Sequence, residues 1–67
     1  MNMKTLGSEI KTRRVFLKIN QQELADLAGI SINTVVAIER GTGNPRAQTL
    51  LSICDVLGLQ LTTKLKK

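Results

Sequence analysis

The sequence predicts an all-α protein, a compact bundle of four helices, plus a short C-terminal β-strand paired across a dimer. Three observations carry that reading. Apolar residues recur at helical spacing in four separate segments. Asn20, Gly29, Ser31, Gly41 and Gly58 stand between those segments, as residues that start or stop helices do. From Leu59 onward the apolar period shortens to two residues, which is the repeat of a strand.

The first segment places Leu6, Ile10, Arg14 and Leu17 on one helical stripe, with Ser8 and Glu9 early and Lys18 late, so a helix is expected over about 3–17. Asn20 is a good N-cap, and Glu23 three residues on completes a capping-box pattern. Ile19 and Leu24 flank that cap with the spacing of a hydrophobic staple. Leu24, Ala25 and Ala28 form a short apolar face that stops at Gly29, the expected left-handed C-cap, and Ser31 caps the next helix. That third helix runs over about 32–40 with Val35 and Ile38 inward, and it ends at Gly41. Residues 41–46 read as a loop by their Gly and Pro content. A fourth helix over about 47–57 has Leu50, Leu51, Ile53, Cys54 and Leu57 as its expected buried side, and Gly58 ends it.

In the tail, Leu59, Leu61, Thr63 and Leu65 alternate with Gln60, Thr62, Lys64 and Lys66. A single strand leaves its backbone groups unpaired, and nothing else in the chain reads as strand. The expected partner is the same segment of a second chain, with a frayed terminus as the alternative. The organisation is therefore a domain over 1–58 followed by a dimerisation element over 59–67. A 67-residue chain buries only about 60% of its unfolded surface, and domains of that size often gain stability by oligomerising.

Composition narrows the function. Ten Lys and Arg against five Asp and Glu give a net charge of +5, which invites a polyanionic partner. Lys4, Lys11, Arg13, Arg14 and Lys18 crowd the first segment. Phe16 is the sole aromatic residue, which argues against the base-stacking platforms of single-strand or RNA binders. There is no His, and the single Cys54 forms neither an internal disulfide nor a Cys/His zinc site. Cys54 reads as a small core residue before it reads as a reactive thiol. No metal or cofactor is expected, and neither is an enzyme: the chain has no paired carboxylates at useful spacing and no phosphate-cradling Gly loop. Met1 to Thr5 lack the apolar run of a signal peptide, and no stretch is long enough to span a membrane, so the expected location is the cytoplasm.

The functional signal lies in Asn20 to Gly41, NQQELADLAGISINTVVAIERG. Two short helices separated only by Gly29-Ile30-Ser31 must cross steeply. Ala25 is small enough to admit the second helix, and Leu24, Ile30, Val35 and Ile38 fill the wedge between them. The outer face is left with Ile32, Asn33, Val36, Ala37 and Arg40, a narrow face of small and amide side chains suited to a major groove.

Gln21, Glu23-Leu24-Ala25, Gly29, Ser31, Ile38-Glu39 and Gly41, followed in register by Asn44-Pro45 and Leu50…Leu57-Gly58, resemble the lambda-repressor-like, Cro-type helix-turn-helix (XRE) family over about residues 6–58. The resemblance implies double-stranded DNA as partner, with base-reading residues Ile32, Asn33, Val36 and Ala37. It implies phosphate contacts from Gln21, Ser31, Thr34, Arg40, Thr42, Asn44 and Arg46. Ser31 is equally explained by capping alone, and Arg46 by a solvated loop or entry into the minor groove. Asn33 is able to pair bidentately with adenine, whereas Ile32 replaces the common polar residue and is able to meet only a thymine methyl. Arg14 and Glu39 stand where the family forms a partly buried ion pair, since a charge on an apolar stripe is costly unless matched. Val15, Phe16 and Leu27 stand where the family is usually polar; they read equally as a partner contact or as core filling.

Residues 57–64 further resemble the end of HipB-like antitoxins, which dimerise through a terminal strand, repress their own operon and bind a toxin. The expected protein is a homodimeric repressor on an inverted-repeat operator, plausible as the antitoxin of a toxin–antitoxin pair. The alternative is an interaction module that mainly neutralises a toxin, with DNA binding secondary. No membrane partner is expected.

Overall fold

Four helices follow one another in the computed structural model, which describes residues 2–61: α1 (Met3–Phe16), α2 (Gln21–Ala28), α3 (Ile32–Arg40) and α4 (Ala47–Leu57). The first three begin where a side chain satisfies a first-turn N–H group. Asn2 Oδ1 accepts from Thr5 N–H at 2.8 Å and opens α1. At α2 the capping box is complete: Glu23 N–H donates to Asn20 Oδ1 at 2.7 Å, and Asn20 N–H donates to Glu23 Oε1 at 2.9 Å. Ser31 Oγ accepts from Thr34 N–H at 3.2 Å and opens α3, whereas α4 starts at Arg46 with no side-chain cap.

All four helices close with the same paired hydrogen bonds, in which a residue of left-handed conformation lets the chain turn back on the last carbonyls. Gly29, Gly41 and Gly58 supply that conformation for α2, α3 and α4. At α1 the left-handed residue is Lys18, with φ 60°. There Lys18 N–H donates to the Val15 carbonyl at 2.9 Å and Ile19 N–H to the Arg14 carbonyl at 3.3 Å.

The core lies where the four helices converge, and Leu6, Ile10, Leu24, Ala25, Val35, Ile38, Ile53 and Leu57 form it. Cys54 is buried beside them, and burial pushes its thiol pKa up. Helix α3 lies against both α1 and α2, while α4 covers the other side of α1 and α2. Gly7 is what lets α1 and α3 approach: a Cβ there would collide with the Ile38 carbonyl oxygen and crowd that of Glu39. Arg13 ties the bundle on its far side, donating from Nε to the Leu57 carbonyl at 2.8 Å, at the negative end of α4.

Several expectations are corrected here. Leu51 faces solvent, because the buried stripe of α4 runs through Leu50, Ile53, Cys54 and Leu57 and leaves Leu51 on its flank. Leu17 lies just past the end of α1 and is exposed, so Arg14 is the last inward residue of that stripe. Val15, Phe16 and Leu27 do not fill the core; Phe16 is 71% exposed and stacks only under Arg13, 5.3 Å from the ring centre. The tail strand, expected to form against a second chain, is a separate matter: residues 59–61 of the single chain show none. Leu59 N–H is taken by the Cys54 carbonyl at 2.8 Å, and the Leu59 and Leu61 side chains rest on this chain's own core. Thr63 and Leu65, with the remainder of the expected strand, lie outside the described residues. Among the described residues no helix is long and apolar enough to cross a membrane.

Candidate nucleic-acid interface

The turn between α2 and α3 is three residues long because both of its ends are fixed by hydrogen bonds. Gly29 N–H reaches the Asp26 carbonyl at 3.3 Å, and Ile30 N–H reaches that of Ala25 at 3.0 Å. Ser31 then caps α3 at once. Leu24 and Ala25 from α2 and Val35 and Ile38 from α3 are buried between the two helices. Once that side of α3 is used for packing, the opposite side must face outward. Asn33, Ile32 and Arg40 are exposed on it, and Val36 and Ala37 are half-buried.

The loop after α3 continues that surface. Thr42 donates to the Ala37 carbonyl from both its N–H, at 2.9 Å, and its hydroxyl, at 3.2 Å, which holds the loop against the helix. The result is a shallow groove of about 310 Å³ lined by Asn33, Thr34, Ala37, Thr42, Gly43 and Asn44 together with Ile38 and Pro45. One concave strip thus brings together five of the residues expected to face DNA. Arg46 stands apart from it, in a second hollow with Gly29, Ile30, Gln48 and Ser52.

A buried ionic cluster holds α3 in this pose. Arg14 Nε lies 2.6 Å from Glu39 Oε2, and Arg14 Nη2 donates to Glu39 Oε1 at 3.0 Å. Arg14 Nη1 also donates to the Ile19 carbonyl at 2.9 Å. The hydrogen bonds that Arg14 donates to Glu39 raise its pKa, against the opposing effect of burial, so the guanidinium stays charged throughout the accessible pH range. Gln21 Nε2 completes the cluster, donating to Glu39 Oε1 at 3.0 Å. Glu39 is therefore shared by α1 and α2, and α3 is fixed to both.

Gln21, expected from the sequence at a phosphate, thus also has a structural bond that its residue type does not announce. Its N–H and that of Gln22 precede the first intrahelical bond of α2, which Leu24 makes to Asn20. Lys4 was missed as well: its backbone lies against Gly41, where an added Cβ would come within 2.7 Å of Lys4 Cα. That contact puts the basic start of α1 beside the basic end of α3. The run of lysines in the first segment was the available signal, but only the crossing of α1 over α3 turns it into a position.

Residues 10–63 match the helix-turn-helix family model. The chain belongs to the helix-turn-helix family, in its lambda-repressor-like branch. It is 33% identical over 55 residues to the cryptic phage CTXphi transcriptional repressor RstR of Vibrio cholerae, covering 82% of this chain and 50% of that one. It is 36% identical over 58 residues to the immunity repressor protein of Bacillus phage phi105, covering 87% of this chain and 40% of that one. Among solved structures it resembles the clp gene regulator ClgR of Corynebacterium glutamicum, with a TM-score of 0.79 and 26% identity over 85% of this chain and 61% of that one. The chain spans about half the length of the curated relatives it matches. In helix-turn-helix terms, α2 and α3 are the two helices of the motif, and α3 is the one whose free face is presented.

Proposed function

We propose that the chain is a sequence-specific double-stranded DNA-binding transcriptional regulator, a homodimeric repressor of its own operon. The observation that carries this is the outward face of α3 joined to the 42–45 loop, with Asn33 exposed at its N-terminal end and Arg40 at its C-terminal end. The net charge of +5 and the repressor names of its relatives support it. In this reading Asn33, Ile32, Val36 and Ala37 meet base edges. Gln21, Ser31, Thr34, Arg40, Thr42, Asn44 and Arg46 meet phosphates, and Arg14 and Glu39 hold the motif. Dimerisation by the tail residues Leu59, Leu61, Thr63 and Leu65 aligns two copies of α3 on an inverted repeat.

A second reading, the antitoxin of a toxin–antitoxin pair that mainly neutralises its toxin, is favoured by the exposure of Val15, Phe16 and Leu27. Footprinting of the full chain on the DNA upstream of its own gene tests the first reading. Protection in two symmetric halves, with affinity falling steeply between about 50 and 200 mM salt, is the expected result. Asymmetric protection, or affinity indifferent to salt, contradicts it. Co-purification with the product of an adjoining gene, lost on Phe16→Ser with DNA binding intact, would establish the second.

A further inference from the structure

The reading face of α3 is short of hydrogen-bonding groups in a way that fixes what it reads. Base edges in the major groove are recognised either by hydrogen bonds or by apolar contact with the pyrimidine 5-methyl group. On this face the hydroxyls are partly engaged within the protein. Ser31 Oγ and Thr34 Oγ1 share a hydrogen bond at 2.9 Å, and the Thr42 proton is given to the Ala37 carbonyl. Gln21, on the neighbouring helix, has an amide N–H committed to Glu39. On α3 itself the uncommitted hydrogen-bonding side chains are Asn33 near its start and Arg40 in its last turn, and Asn44 adds a further free amide from the loop that follows. Between and beside them stand Ile32, 36% exposed despite being a large apolar residue in the first turn of α3, then Val36 and Ala37. Residues at the N-terminal end of such a helix approach base edges most closely, so Ile32 occupies a reading position with nothing but methyl and methylene groups to offer.

We infer that this chain identifies its operator chiefly through pyrimidine 5-methyl groups, with Ile32 and Val36 as the methyl-reading residues and Asn33 supplying the amide contact from α3. The inference rests on the DNA-binding reading and specifies its ligand. Thymine carries that methyl in ordinary DNA, and 5-methylcytosine carries the same group at the same place in the groove while reversing the neighbouring hydrogen-bonding group. A face that reads the methyl alone tolerates the exchange; a face that reads the O4 acceptor of thymine does not.

The test starts from the full chain and a random-sequence duplex library, from which bound sites are enriched. The enriched site is then made with thymine, with deoxyuridine, and with 5-methylcytosine or cytosine paired to guanine at the half-site positions. Loss of one methyl is expected to weaken binding about fourfold, the equivalent of ~0.8 kcal/mol for one buried methyl-sized group. Deoxyuridine outside the half-sites should leave affinity unchanged. At the position facing Ile32, 5-methylcytosine should bind within about twofold of thymine, and cytosine about fourfold more weakly. The folded variant Ile32→Ala should bind thymine and deoxyuridine duplexes equally at that position while keeping its affinity for non-specific DNA, which separates contact from DNA shape. An enriched site bound equally with thymine and deoxyuridine overturns this inference and leaves the DNA-binding reading standing. Failure to enrich any site overturns both.

Discussion

Replacing Arg14 by alanine perturbs the scaffold that aims α3 without touching its outer face. In the native chain three donors of one guanidinium are used: Nε to Glu39 Oε2 at 2.6 Å, Nη2 to Glu39 Oε1 at 3.0 Å, and Nη1 to the Ile19 carbonyl at 2.9 Å. Alanine removes all three and leaves the Glu39 carboxylate, whose side chain is 3% exposed, with the Gln21 amide as its remaining donor. Breaking a buried pair by deleting one partner costs about 3–5 kcal/mol, because a buried charge is left uncompensated. A domain of this size commands only about 3–10 kcal/mol of stability in total, so the loss is a large share of it. At about 4–8 °C per kcal/mol, the Tm should fall by at least 12 °C in far-ultraviolet circular dichroism. Raising the salt should change this difference little, since a buried pair is weakly screened. The double variant Arg14→Met with Glu39→Met should lose less than Arg14→Ala alone, because no charge is then left unpaired. A fall of less than about 4 °C for Arg14→Ala, corresponding to under 1 kcal/mol, refutes the reasoning.

Two further predictions concern the scaffold. Lys18→Gly should raise the Tm by a few degrees, because glycine adopts the φ of 60° found there without the Cβ penalty, a gain of about 0.5–1 kcal/mol by thermal unfolding. Cys54 should react slowly with iodoacetamide in the native chain and quickly in denaturant, since burial raises its thiol pKa. The sign follows for stability: the unfolded thiol ionises first as pH rises, so the contribution of Cys54 is fully present below the ordinary thiol range and is lost above it. Cys54→Ala should flatten the alkaline limb of the Tm–pH profile.

The parts of the fold that were legible in the sequence are those fixed by neighbours in the chain. Asn20 with Glu23, Ser31, and the glycines at 29, 41 and 58 act within a turn of their own position, so the spacing of residue types suffices to place α2, α3 and α4. What escaped depends on contacts across the bundle, on backbone geometry that residue type does not announce, or on the exact phase of a helix. Gly7 looks like a residue that weakens a helix until the Ile38 carbonyl is seen against it. Lys18 gives no compositional sign of its left-handed backbone, because the paired hydrogen bonds to Val15 and Arg14 impose it. Leu51 was misplaced because it is one residue from the stripe, and an apolar run does not by itself state its phase. At the candidate site, the outward residues of α3 followed from which of its residues point inward. The engagement of Gln21 by Glu39, and of Thr42 by the Ala37 carbonyl, required the third dimension.

The central claim is that α3 reads bases through its outer face, and one ratio tests it most directly. Fluorescence anisotropy of the wild-type chain and of Asn33→Ala, on an enriched operator duplex and on a scrambled one, gives the specific and non-specific affinities of each. Asn33 is exposed, so the substitution leaves the core untouched. Loss of one amide–adenine contact, worth about 1–3 kcal/mol, should weaken operator binding by roughly 5- to 150-fold and leave the scrambled duplex unaffected. Equal weakening on both duplexes, or none on either, would mean that Asn33 reads no base and would contradict this account of the α3 face.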